Sequence, residues 1–269
     1  MSIPVRLPNN SAWKNQKLVW SGLFVRECKT RFGGNKLGIF WALLQPLTLP
    51  LLLGVVFGVL LGNGSTSAMP YPMFVLLGFL PFNLFRGLVT QSMNAFKANQ
   101  GLLIHQKLKP SDPIFARVFF ESLLAFIAFS IFVAVATFYF DAQPSFADSL
   151  SILAGFASAL MLGTGFGFFA AVAEHKNKNV AHIVNILLQP LLWISCVFVP
   201  LNILPDSQQK FLVWNPLVHV TEGMRLSMYP HYSTGDVNLL YSLVIGLIVF
   251  WFGMAYYRAN LSVLYDLGD

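Results

Sequence analysis

The chain has 269 residues, of which 56% are hydrophobic and only 10% charged, with a mean hydropathy of +0.64 and a formal net charge of +6. Soluble domains carry about 25% charged residues, so this composition excludes a globule that covers its own surface with water-binding groups. It points to an all-α integral membrane protein, and nucleic acid is not an expected partner.

Residues 1–36 read as a cytosolic N-terminus. Trp13, Trp20, Phe24, Cys28 and Phe32 share one stripe of a helix over 13–32, with Lys14, Lys17, Arg26 and Lys29 mostly off it. That pattern predicts an amphipathic helix lying in the inner membrane interface, with its tryptophans at headgroup depth. Arg26, Lys29 and Arg31 are its basic residues, and the turn from Arg31 to Gly34 lifts the chain into the bilayer. The first 36 residues hold no apolar core of the signal-peptide kind. Cys28 and Cys196 read as two separate small packing residues.

A bilayer-crossing helix needs roughly 20 apolar residues. Six runs qualify, at about 37–62, 70–93, 114–140, 149–173, 179–200 and 237–257. They are too long and too continuously apolar for barrel strands, so they are helices. Together they make a transmembrane domain over 37–258, followed by a cytosolic tail at 259–269. Gly54, Gly58 and Gly62 in the first run, and Gly155, Ala159, Gly163, Gly167 and Ala171 in the fourth, place one small residue per turn. Such ridges let helix backbones approach closely, either within one subunit or across a dimer seam. Arg86 sits near the inner end of the second run, and Arg117 and Glu121, four apart, are expected to form an ion pair near the interface.

The pentapeptide LLQPL occurs at 43–47 and again at 187–191. Each copy puts an amide and a helix-breaking proline inside a span, which is tolerated where neighbours or a wet path satisfy the freed carbonyl. Gln45 and Gln189 are therefore candidates for a translocation path, with hydrogen bonding between helices as the alternative. The chain holds 26 Phe, 8 Tyr and 6 Trp, and aromatic faces suit the weak, repeated contacts a sliding sugar polymer needs. Trp41, Phe57, Phe82, Trp193 and Phe198 are the aromatic candidates for that path.

Residues 201–236 form the longest outer connection. Its apolar stretch FLVWNPLVHV is ten residues long, about 15 Å as a helix and half a bilayer. It is expected to be a re-entrant or interfacial helical hairpin. With the N-terminus inside, fifteen of the seventeen Lys and Arg fall on the inner side, and only Lys210 and Arg225 fall outside. The positive-inside rule thus places both termini in the cytosol.

No phosphate-binding loop G-x-x-x-x-G-K-[ST] is present. Nor is there an H-E-x-x-H, a G-x-S-x-G or a metal-ligand spacing among the five histidines. No catalytic or metal residue is assigned. A proton-coupled carrier needs a carboxylate near the midplane, and every acidic residue except Glu121 lies at or beyond a span end. The pattern describes a conduit whose energy comes from elsewhere.

The run K-T-R-F-x-G-x-x-L-G-x-x-W-A-L-L-x-P-L, from Lys29 to Leu47, follows the basic helix. In this arrangement it resembles the permease subunits of ABC-2-type polysaccharide exporters. The likeness continues through Asn99–Ile104, Lys107 and Pro110, through Ser195 and Pro205, and through Asn215-Pro216-Leu217 with Glu222 and Arg225. Where O-antigen and teichoic-acid permeases show Arg-Asp in the fourth inner loop, this chain has Glu174-His175-Lys176-Asn177-Lys178-Asn179. The departure favours the capsular polysaccharide branch of Gram-negative bacteria.

The resemblance implies a multi-pass inner-membrane permease that is not itself an enzyme. It implies a homodimer, two copies of a separate ATPase that binds ATP and Mg, a lipid-linked polysaccharide as cargo, and periplasmic and outer-membrane export partners. It places the ATPase-coupling surface at 97–112, where Asn99 is expected to cap a short helix. Leu102, Leu103 and Ile104 form its apolar plug and Lys107 and Lys109 its rim. Asn215, Pro216, Glu222 and Arg225 belong to the outer hairpin as a periplasmic gate. The rival readings are an ABC-2 exporter of O-antigen, teichoic acid, lipid or drug, an ion-coupled secondary transporter, and an intramembrane enzyme on lipid-linked sugars.

Overall fold

The computed structural model describes residues 12–32, 38, 41, 44, 47–53, 56, 69–103, 109–139 and 143–265. All described elements are helices. They run α1 (Ala12–Phe32), α2 (Tyr71–Met93), α3 (Ala95–Leu103), α4 (Ser111–Tyr139), α5 (Ser149–Lys176) and α6 (Val180–Ile194). After a short 3-10 turn at Leu201–Ile203 come α7 (Asp206–Leu212), α8 (Pro216–Met228), α9 (Leu239–Ala259) and α10 (Leu261–Tyr265).

Among the described residues four helices are long and apolar enough to cross a bilayer: α2, α4, α5 and α9. The first predicted run is helical at 47–53, with most of its remainder outside the described residues. The fifth, expected over 179–200, is helical only to Ile194. Fifteen residues rise about 22 Å, short of the roughly 30 Å hydrocarbon core. The helix stops because Cys196 takes φ 53°, a left-handed conformation that residues with a Cβ seldom adopt. The chain is next helical in the short 3-10 turn at Leu201–Ile203, which Pro200 opens.

α5 is the central helix, packed along α9 on one side and α2 on another. Its small residues explain both contacts. The ridge Gly155, Ala159, Gly163, Gly167 and Ala171 is fully buried. Gly163 and Gly167 meet Leu88 and Ser92 of α2, and Gly155 meets Met224 of α8. The ridge is thus consumed inside one subunit and forms no dimer seam. Gly165 faces the other way, with the α9 backbone at Val249 and Phe250 lying 2.6 Å from where its Cβ would stand.

Side-chain caps set several helix starts. The Asp148 carboxylate accepts from the Ser151 N–H at 3.2 Å to open α5, and Asn238 accepts from Leu240 N–H at 2.9 Å to open α9. Asn215 accepts from Leu217 N–H at 3.0 Å to open α8, with Pro216 at the first helical position, where its missing N–H costs nothing. This start lies inside FLVWNPLVHV. The apolar stretch is therefore divided between α7 and α8 by a turn around Trp214, and does not form one short helix.

α1 forms over the predicted span, but its faces are not sharply divided. Leu23, off the aromatic stripe, is buried at 6% exposure, while Trp20 on the stripe is 49% exposed. Phe24 packs on Phe119 and Phe120 of α4, with ring centres 5.6 and 5.8 Å apart. A second correction concerns Asn99. It does not cap α3, because the helix already begins at Ala95 and Asn99 lies within it, buried.

Candidate functional site

An open cavity of about 860 Å³ lies between α1, α2, α4 and α6. Its walls carry Glu27 and Thr30 from α1, Arg86 and Gln91 from α2, and Arg117 and Glu121 from α4. Trp41 and Asn185 also line it. Charged groups on apolar helices are expensive in lipid and concentrate where water or polar cargo passes. Here they converge because α1 lies along the first turns of α4. The Glu27 carboxylate lies 3.4 Å from Arg117 Nε, and Arg117 Nη1 donates to the Gln91 carbonyl oxygen. The expected ion-pairing of Arg117 thus includes α1, a partner that spacing along α4 alone could not reveal. Glu121 rests against Gly87 of α2, whose lack of a side chain leaves it room.

Asn185 joins this cavity to a second feature. His182, Asn185, Gln189 and Trp193 recur at spacings of three and four along α6 and are all exposed. Leu188 and Leu192, flanking this stripe, are buried, while Ile183, Leu187 and Ile194 on the far side of the helix are exposed. A helix of this apolarity that turns a histidine, two amides and a tryptophan outward presents a polar stripe, running from the cavity toward the outer hairpin. Trp193 is 67% exposed, and its ring centre lies 5.0 Å from that of Phe198. His182 and Asn185 were not singled out from sequence. The signal was the i, i+3, i+7, i+11 recurrence of polar or aromatic residues through Gln189.

Of the other aromatic path residues, Trp41 is exposed on the cavity wall. Phe82 is corrected: it is 1% exposed, packed with Val197, Leu188 and Leu217 in the core. Alternating burial on α2 was invisible because that helix is enclosed on nearly every side. Gln45, Phe57, Ile104 and Lys107 lie outside the described residues, as do the side chains of Arg31, Leu102 and Leu103. Lys29 and Lys109 are exposed. Arg26, a basic residue of α1, has its guanidinium bonded to α3.

Of the four hairpin residues, Glu222 and Arg225 are buried fasteners, while Asn215 and Pro216 are half-buried at the start of α8. Glu222 and Arg225 form an ion pair at 2.8 Å with both side chains at 0% exposure. Arg225 uses its whole fork: Nη1 also donates to Cys196 O at 2.8 Å, Nη2 to Val197 O at 2.7 Å and Nε to Phe74 O at 3.1 Å. Glu222 accepts from the Tyr232 hydroxyl at 2.9 Å and from Leu201 N–H at 3.2 Å. Every partner needed to keep two buried charges is present, which is the condition for such a pair to be stable. Arg225 thereby holds the strained turn at Cys196. Gly78 makes the space, since a Cβ there would stand 2.5 Å from Arg225 Nη2. Asn215 bonds Ser195 Oγ at 3.1 Å, and Thr221 donates to Ser195 O at 2.8 Å.

His219 completes the hairpin. Asn238 N–H donates to its Nδ1 at 2.9 Å, so the proton sits on Nε2, which donates to Val213 O at 2.7 Å. Burial pushes this imidazole below its ordinary pKa, and the bond to Val213 opposes that shift in part.

A polar cavity, a polar stripe leading away from it and a fastened hairpin are the parts of a conduit. Residues 19–229 match the family of ABC-2 type transporters. The chain belongs to that family. It is 34% identical over 253 residues to the polysialic acid transport protein KpsM of Escherichia coli, covering 93% of this chain and 96% of that one. It is 29% identical to the capsule polysaccharide export inner-membrane protein CtrC of Neisseria meningitidis serogroup A, covering 89% and 90%. Against the capsule polysaccharide export inner-membrane protein BexB of Haemophilus influenzae it is 27% identical, covering 87% and 86%.

Proposed function

We propose that this ABC-2 family chain is the permease subunit of a capsular polysaccharide exporter. It carries a lipid-linked glycan across the inner membrane of a Gram-negative bacterium. The observation that carries this reading is the continuity of the cavity and the α6 stripe through Asn185. A lipid-linked polymer needs an entrance within the inner leaflet that accepts polar groups while the lipid stays in the bilayer. The cavity supplies both signs of charge there, through Arg86, Arg117, Glu27 and Glu121. Beyond it, Gln189, Trp193 and Phe198 offer hydrogen bonds and ring faces that suit sugars of varied sequence. The named roles of the relatives in capsule export support this cargo over lipid, drug, O-antigen or teichoic acid.

The stripe on α6 also argues for two copies of the chain. Amides facing hydrocarbon are unfavourable, so this face is best placed across a wet path from its symmetry mate. In this reading the chain crosses the membrane six times with both termini in the cytosol. α1 lies in the inner interface, and α7 and α8 form a hairpin at the outer side, which Glu222 and Arg225 fasten to the helical core. Energy comes from two copies of a separate ATPase, which hold ATP and Mg and engage the 97–112 segment. Periplasmic and outer-membrane partners receive the polymer.

The test is export by Arg86→Ala, Trp193→Ala and the pair together, in cells lacking the native permease. Surface capsule should fall while the permease inserts and the ATPase remains associated and active. Each lost aromatic contact is worth about 0.5–1.5 kcal/mol by analogy with aromatic pairs, so the single Trp193 change slows export several-fold at most. Wild-type capsule from the double variant would remove the cavity and stripe from the path. If deletion of the permease leaves capsule on the surface, the cargo assignment itself fails.

A further inference from the structure

We propose that Arg26 is a positioning residue that makes α1 and the coupling helix α3 one moving body, so that α1 is the wall of the inner cavity displaced by ATP hydrolysis. This rests on the reading of 97–112 as the ATPase-coupling segment. The Arg26 guanidinium spends both ends on α3: Nη1 donates to Asn99 Oδ1 at 2.7 Å and Nη2 to the Ala98 carbonyl oxygen at 2.6 Å. Asn99 is held ready for this, because its Nδ2 donates to Ala95 O at 2.8 Å and so turns Oδ1 toward Arg26. An amide buried at 6% exposure within a nine-residue helix has no other evident purpose.

A second clamp closes on the far side of the same segment. The Asp112 carboxylate accepts from Gln16 Nε2 at 2.9 Å and from Trp20 Nε1 at 3.3 Å, while its other oxygen accepts from Lys109 N–H at 3.0 Å. α1 is therefore tied to α3 at Ala98 and Asn99 and to the first turn of α4 at Asp112. Two clamps separated along a stiff helix fix orientation as well as distance, so a push on the segment rotates or shifts α1 as a unit. The next residue after Arg26 is Glu27, which pairs with Arg117 and lines the cavity. Thr30, one turn on, lines it too. The route from the cytosolic surface to the cavity wall is thus one helix, with the receiving contact and the delivering contact on adjacent residues.

The experiment uses the assembled permease–ATPase complex in cells and in lipid nanodiscs, scoring association, ATP hydrolysis and export. Arg26→Ala should leave association and hydrolysis near wild type while lowering export per ATP by about fivefold or more, the range of an ordinary coupling free energy. Arg26→Lys, which keeps one of the two bonds, should recover part of it. Arg26→Cys combined with Asn99→Cys and bridged by a short bis-maleimide should export better than the same pair unbridged, because the two helices are meant to travel together. Full export by Arg26→Ala, or a bridge that stops export, would overturn the inference. Either result leaves the coupling reading standing if Leu103→Asp still abolishes ATPase association. Wild-type association by Leu103→Asp sinks the coupling reading, and this inference with it.

Discussion

Arg225 lies over the ring of Phe74, its guanidinium carbon 3.6 Å from the ring centre, and donates from Nε to the Phe74 carbonyl oxygen at 3.1 Å. The contact joins residues 151 positions apart and fastens α8 to the first turn of α2. It makes the outer hairpin part of the helical core, with Glu222 and the turn at Cys196 as dependants.

Removing that fastener should be costly. Arg225→Met strands Glu222 as a buried charge and frees the carbonyls of Phe74, Cys196 and Val197, at about 3–5 kcal/mol. Arg225→Lys should recover little, because an ammonium cannot reproduce the planar fork. Thermal unfolding of purified permease in detergent reads the loss as a lower Tm for both variants. An unchanged Tm for Arg225→Met would show that the pair carries no stability.

Gly165 and Gly253 set the crossing of α5 and α9, where a Cβ on Gly165 would stand 2.6 Å from the backbone of Val249 and Phe250. Gly165→Ala therefore forces the helices apart and should cost about 1–3 kcal/mol, the usual range for overpacking. Gly22→Ala is the control, since nothing lies within 4 Å of its Cβ position. There the substitution should be neutral or stabilising by up to about 1 kcal/mol, as in any exposed helix interior. Denaturation midpoints of the two variants should move in opposite directions or differ clearly in size.

The hairpin should loosen in acid. His219 is buried and neutral, and protonating Nδ1 would set two N–H groups, its own and that of Asn238, against each other. Its folded pKa is lowered by burial, so the unfolded segment takes up a proton first. The stability His219 supports is complete above about pH 6.5 and is lost as pH falls through that value toward the lower folded pKa. Protease cleavage within 201–236 should rise over that interval in wild type. It should be flatter with pH in His219→Gln, whatever that variant's baseline.

Topology has a direct test. In a background lacking Cys28 and Cys196, cysteines introduced at exposed Gln208 and exposed Lys176 should differ in labelling by an impermeant thiol reagent. Gln208→Cys should react from outside intact spheroplasts and Lys176→Cys only after permeabilisation. Reaction of Gln208→Cys from the cytosolic side alone would rule out the outer placement of the hairpin.

Membrane class and helical architecture are written locally. Each depends on a sum over neighbouring residues, such as the apolarity of twenty. The structure accordingly has α2, α4, α5 and α9 where runs of uncharged residues were read. The conduit character was legible too, because the absence of a nucleotide loop is a property of the string. Which side chains meet was not legible. Asn99 reads as a cap because its neighbours allow one, but the helix begins at Ala95, and the side chain's partners are Ala95 and, from 73 residues away, Arg26. Phe82 looked available to cargo because a phenylalanine in a span reads alike on any face, and Val197 and Leu217 closed over it. The ridge on α5 was open to either a subunit interior or a dimer seam until Leu88, Ser92 and Met224 filled it. Glu222 and Arg225 sat three apart as an ordinary helical pair. Their burial, and with it their cost if broken, came from carbonyls at 74, 196 and 197 that no local window contains. Apolarity acts over one segment and survives in a linear reading, whereas burial and partnership are set by long-range contacts that exist only once the helices have packed.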